Sequence, residues 1–201
     1  MNWALFADWL SALAAVGTLW VAIWAARSWR QQLRGGSKHA VAQEVATAAR
    51  NLKYSFYGAR SRLIEGWEFP ESYWEGGPGK RRSNAEEADA YRHVYHRRMQ
   101  EHWPSIKAAA DLRAKAGAVL GEETAKDLED LAKKARELDF FFQQDVDQRR
   151  AGPEGVKRWS DQDFVARVQK SVVAQEPAED RFSKEFEEIL ERTLGRLRPY
   201  L

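Results

Sequence analysis

Residues 9–26 form a run of eighteen amino acids without one charged side chain. As a helix the run spans about 27 Å at roughly 1.5 Å per residue, close to the thickness of bilayer hydrocarbon. Its uncharged character extends around every face rather than along one stripe, unlike an amphipathic helix packed on a soluble core. A cleaved leader fits poorly. Residues 1–8 carry no Lys or Arg, and Trp24 stands where a small residue is wanted for cleavage. The expectation is therefore a retained single transmembrane helix over residues 1–34 and a helical domain over 35–201.

Insertion of such a helix is favourable by a modest margin. Leu10, Leu13, Val16, Leu19, Val21 and Ile23 contribute roughly −2 to −4 kcal/mol together. Arg27, Arg30, Arg34 and Lys38 follow the run, whereas Asp8 is the one charged side chain before it. The positive-inside rule then places the N-terminus outside and the C-terminal domain in the cytosol, at the inner membrane of a bacterial cell. Trp3 and Trp9 mark one interface, and Trp24 and Trp29 the other.

Small residues recur along this helix. Ser11, Ala15, Thr18, Ala22 and Ala25 are three or four apart, and Ala14, Thr18, Ala22 and Ala26 are four apart. In lipid, small side chains let helix backbones approach closely. The pattern predicts a homo-oligomer through the transmembrane helix. One helix per chain encloses no path, so a pore requires several copies, with Ser11 and Thr18 as its polar lining.

The rest of the chain reads as all-α. At Gly35-Gly36 the first helix either ends, with Ser37 capping the next, or runs on through a kink that couples anchor and domain rigidly. Val41, Val45, Ala48, Leu52, Phe56 and Leu63 mark an amphipathic helix to residue 64. A loop with Pro70 and a Gly-rich turn follows. It carries Trp67, Phe69, Tyr73 and Trp74, which are candidates for contact with headgroups or a neighbouring subunit as well as for packing on the core. Asn84 opens a long helix with a capping-box pattern to Glu87. Its stripe is Tyr91, Val94, Tyr95, Met99, Trp103 and Ile106, with a kink expected at Pro104 and a stop at Gly121. Leu128, Leu131, Ala135, Leu138 and Phe142 mark the antiparallel partner, which ends at Gly152-Pro153. A shorter helix begins at Ser160 and is interrupted at Pro177. A last helix carries Phe182, Phe186, Ile189, Leu190 and Leu194 and stops near Gly195. The fold class is an all-α bundle of four or five cytosolic helices behind one anchor.

Composition removes some chemistry. With no cysteine there is no disulfide framework and no thiolate zinc site. A net charge of +2 gives no bulk attraction to nucleic acid. No cofactor is called for. Three of four histidines fall in residues 93–102, where His93 and His96 share a helix face but lack a third ligand, so no metal site is expected. Arg97 and His102 form an Arg-x4-His pair, in which a histidine moves a proton and an arginine holds a phosphate.

The charge-free helix, the all-helical remainder and Arg97-x4-His102 together resemble HEPN-type helical proteins with an N-terminal membrane helix. The layout is similar to the membrane accessory proteins of type VI-B CRISPR systems. HEPN domains usually place a polar residue such as Asn after the arginine, where this chain has Arg98. The chain also resembles other anchored bacterial proteins with a Tyr/Arg-rich helix and a Gly-Glu turn, here Gly121-Glu122. The resemblance implies a place in antiviral defence. It leaves three readings: an oligomeric, pore-forming or depolarising membrane effector; a membrane-tethered, metal-independent ribonuclease using Arg97 and His102; and a tether for a cytosolic partner. Partners are then the bilayer, further copies of the chain, and RNA or a defence-system protein.

Overall fold

The computed structural model describes residues 3–75, 77, 80–156, 161–173 and 180–201, with side chains of 3–15 and 30–35 left out. All regular structure among these residues is helical, as the sequence predicts. The elements are α1 (Trp3–Ala59), two short 3-10 turns (Gly66–Glu68 and Glu71–Trp74), α2 (Asn84–Asp111), α3 (Arg113–Leu120), α4 (Glu122–Val156), α5 (Gln162–Val172), α6 (Arg181–Leu197) and a terminal 3-10 turn (Arg198–Tyr200).

Of the two alternatives at Gly35-Gly36, the structure takes the continuous helix. No break occurs there, and α1 runs on for 57 residues, about 85 Å at roughly 1.5 Å per residue. Glycine costs about 1 kcal/mol relative to alanine inside a helix, but it does not forbid the conformation. Good helix formers on both sides carry the helix through. The first half of α1 stands clear of the bundle. Val16, Leu19, Trp20, Val21, Ile23 and Trp24 are each between 45% and 68% exposed. Burial begins at Val41 and continues through Ala42, Val45, Ala49, Leu52 and Phe56.

Among the described residues, no helix is long and apolar enough to cross a membrane. Of the eighteen-residue run, only positions 16–26 have described side chains. Ser11, Ala14 and Ala15, like Trp3 and Trp9, have side chains outside the described set.

The bundle is built on the antiparallel pair α2 and α4, with the second half of α1 against α2 and with α5 and α6 against α4. Rings from different helices stack at its centre. Phe56 lies on Phe186 at 4.1 Å, and Tyr95 on Phe142 at 4.2 Å. The helix ends follow local chemistry. Ser83 rather than Asn84 caps α2. Its Oγ accepts from Glu86 N–H at 3.2 Å, while the Glu86 carboxylate accepts from Ser83 N–H at 2.7 Å. Asp161 caps α5 and Asp180 caps α6. Ser160 and Pro177 lie outside the described residues.

Pro104 lies inside α2, which continues to Asp111 before yielding to α3 at Leu112. One expectation for this helix needs correction. Trp103 is 41% exposed; the inward positions belong to Arg98 and His102, between the apolar Val94, Met99 and Ile106. Leu63 is also outside the core, because α1 stops at Ala59 and leaves it exposed in the following loop. At Gly121 the backbone takes φ +108°, which favours glycine and turns the chain from α3 into α4. At Gly152, φ is +68° and a Cβ would lie 2.0 Å from Asn84 Nδ2, so a kink separates the last turn of α4 from the rest.

Candidate functional site

The loop after α1 is held by a buried arginine. Arg98 reaches from α2 to Glu68 through two parallel hydrogen bonds, Nε to Oε2 at 2.6 Å and Nη2 to Oε1 at 2.9 Å. The same guanidinium donates to the carbonyls of Ala59 at 3.3 Å, Ser61 at 2.7 Å and Leu63 at 2.7 Å. Burial alone raises the Glu68 pKa. The Arg98 contacts and the Glu65 N–H outweigh it and hold that carboxyl below its ordinary range. The arginine thus takes the carbonyls left over as α1 ends and shapes the loop around itself.

On this frame three of the four loop aromatics, Phe69, Tyr73 and Trp74, make one cluster, while Trp67 lies under Arg97. Phe69 stacks on Tyr73 at 4.4 Å and meets Tyr91 edge-on at 5.6 Å. Trp74 packs edge-on against both Phe69 and Tyr73. Arg82 lies over the outer face of the Tyr73 ring at 3.9 Å. Phe69 and Tyr73 are half-buried, whereas Trp67 and Trp74 remain exposed. The cluster follows Ala59, 33 residues along α1 from Ala26 and about 50 Å away at roughly 1.5 Å per residue.

Arg97 and His102 point to different surroundings. Arg97 is exposed, lies over the Trp67 ring at 4.3 Å and donates to the Trp67 carbonyl at 3.4 Å. His102 is 1% exposed. Its Nδ1 shares a 2.8 Å hydrogen bond with Ser55 Oγ, and its Nε2 is buried without a hydrogen-bond partner. Burial pushes its pKa down to about 4, so the ring is neutral at physiological pH. Five residues apart on one helix, the two positions differ by about 140° in direction, and within one chain they share no surface. His93 and His96 are exposed on the outer face of α2, His96 sharing a 3.0 Å contact with Gln100. Among the described residues, no group of three or more His, Asp or Glu is placed to hold a metal ion.

Two polar constellations were missed in the sequence. Arg60, just past α1, is fully buried. It donates to the carbonyls of Ser171, Lys170 and Val173 at the end of α5, to Ser183 Oγ at 2.5 Å, and to Asp180. Burial lowers its pKa against the opposing pull of Asp180. Tyr95 donates to buried Asp145 at 2.7 Å, and Arg149 reaches the same carboxylate at 2.6 Å while covering the Tyr91 ring at 3.4 Å. The legible signal was phase: Arg60 follows Leu52 and Phe56 at intervals of four, and Arg98 falls between Val94 and His102. A charged residue in step with an apolar stripe is a candidate for a buried, multiply bonded role.

A shallow cleft of about 410 Å³ opens between α2 and α4, lined by Arg92, Tyr95, His96, Asp139, Phe142 and Asp147. Arg92 pairs with Asp89, and Asp139 accepts from Gln143. No family model, curated protein or solved structure matches this chain.

Proposed function

We propose that this protein is the subunit of a membrane-anchored homo-oligomer whose assembly alters the permeability of the inner membrane, in the antiviral setting that the resemblance implies. The reading is carried by the bare apolar half of α1. Six large apolar side chains from Val16 to Trp24 stand exposed. A surface of that kind in water marks a membrane or protein contact. The positive charges that follow it orient the bundle towards the cytosol. On this reading the loop that carries exposed Trp67 and Trp74 faces away from the membrane, because the continuous helix carries it about 50 Å from the end of the apolar run. Headgroups of the same membrane are then beyond its reach. Exposed aromatics at that distance favour, as the second reading, a tether that presents a cytosolic partner surface.

Expression of the full chain in bacteria, with a voltage-sensitive dye as readout, tests the effector. Wild-type protein is expected to depolarise the membrane. Thr18→Leu and Ala22→Leu are expected to abolish that effect at equal membrane abundance, and Arg97→Ala to leave it intact. Wild-type protein that inserts without depolarisation sinks the permeability claim and leaves the tether.

A further inference from the structure

The uninterrupted α1 fixes the rotation of every residue in it, so its membrane half and its bundle half can be placed on one helical register. At about 100° per residue, the small positions Ser11, Ala15, Thr18, Ala22 and Ala25 fall within about 50° of one direction. Carried on, the same direction takes in Trp29, Leu33, Gly36 and Ala40. In the bundle it takes in Gln43, Thr47, Asn51, Tyr54 and Gly58. Those five are the face of α1 that its own bundle leaves open: each is exposed, and Tyr54 is 74% exposed.

The opposite direction is equally consistent. It holds the large apolar positions Val16, Trp20, Ile23 and Trp24, then Arg27, Arg34 and Lys38. Lower down it holds Val41, Val45, Leu52 and Phe56, which the bundle buries. One side of α1 therefore faces lipid, then bears the positive charges, then packs on the chain's own core. The other side is small or neutral along its centre, with Glu44 and Arg50 as formal charges at its two edges and Glu44 paired with Lys115.

Two glycines lie on that open side. A Cβ at Gly36 or Gly58 would meet nothing within 4 Å. Gly36, inside the helix, costs about 1 kcal/mol of helix stability relative to alanine. Close approach of another backbone gives both a physical reason. From Ser11 to Gly58 the strip is about 70 Å long, and with a helix width of about 10 Å it offers roughly 700 Å² per copy, a standard interface.

We propose that the occupant of this strip is α1 of a second copy, in a seam that runs from the membrane through the stalk (residues 27–40) and along the bundle as far as Gly58. This rests on the membrane-oligomer reading above and extends it. The α1 helices form the inner wall of the assembly, and the α2–α6 bundles radiate outwards, so close packing in the membrane meets no obstruction from the cytosolic domains. The aqueous part of the seam is where lipid cannot be the occupant.

Because the chain has no cysteine, single-cysteine variants of the full protein report the seam directly. Ala22→Cys, Thr47→Cys and Glu188→Cys are reconstituted in phosphatidylethanolamine–phosphatidylglycerol vesicles and oxidised with copper phenanthroline. Glu188 is exposed on α6, away from the strip. Ala22→Cys and Thr47→Cys are expected to form covalent dimers about tenfold or more faster than Glu188→Cys. Rapid dimers at Ala22→Cys without dimers at Thr47→Cys would overturn the extended seam while sparing the membrane oligomer. No dimers at either position would overturn both. Equal rates at all three would show random collision and overturn the seam.

Discussion

Replacing Arg60 by methionine removes a guanidinium with no exposed surface while nearly preserving side-chain length. Its loss strips Asp180, 2% exposed, of its charged partner and leaves the carbonyls of Lys170, Ser171 and Val173 at the end of α5 without this donor. Removing one member of a buried ion pair typically costs about 3–5 kcal/mol, because the remaining charge stays buried. The Ser183 hydroxyl and the Phe182 N–H still serve Asp180, so the lower part of that range is expected. For a chain of this size each kcal/mol lowers the melting temperature by roughly 2–4 °C, so the variant should melt roughly 10 °C early. Thermal unfolding of the detergent-solubilised full chain, followed by far-ultraviolet circular dichroism, is the assay. Arg92→Met, which breaks the exposed pair with Asp89, serves as reference and should cost about 1 kcal/mol or less. Adding Asp180→Asn to Arg60→Met should cost less than the sum of the two single changes, since it removes the stranded charge. An Arg60→Met variant that melts with Arg92→Met would refute the claim that this arginine ties α1 to α5 and α6.

Burial of neutral His102 should make the fold acid-sensitive. Its folded pKa of about 4 lies below the ordinary 6.5, so its contribution is fully present above pH 6.5 and is lost as pH falls towards 4. The full shift is worth about 3 kcal/mol, and His102→Leu should flatten that part of a pH–stability curve measured by denaturant unfolding. Arg98→Ala should free the loop after α1, raising amide hydrogen exchange across residues 61–75 and costing about 3 kcal/mol, as for other broken buried pairs. Gly152→Ala should destabilise by more than 1 kcal/mol in chemical denaturation, because the new Cβ enters a positive-φ position and the space of the Asn84 amide.

The helical class, the α2–α4 hairpin and most of the core were legible because the apolar stripes keep a 3.6-residue period over long windows. Leu128, Leu131, Ala135, Leu138 and Phe142 are all buried, as their spacing predicts. Punctuation was less legible. Gly35-Gly36 reads either as a stop or as a helix that runs on, because glycine lowers helix stability without fixing where a helix ends. Pro104 falls inside α2, which yields to α3 at Leu112. Trp103 looked like core because tryptophan is apolar, but its place on the α2 circumference lies beyond the edge that α1 and α4 cover. The buried arginines show in the sequence only as charges in phase with an apolar stripe. Their partners do not, because Arg60 finds its carbonyls over a hundred residues away at the end of α5, and no local pattern encodes such a partner. The Arg97-x4-His102 spacing was visible, but five residues on a helix separate rather than join two side chains.

The most direct test of the central claim is the mass of the full chain in detergent, by size-exclusion chromatography with light scattering. The account predicts one discrete species of several copies, reduced to monomer by Thr18→Leu together with Ala22→Leu. A wild-type protein that stays strictly monomeric, with its membrane half inserted in the micelle, would contradict it.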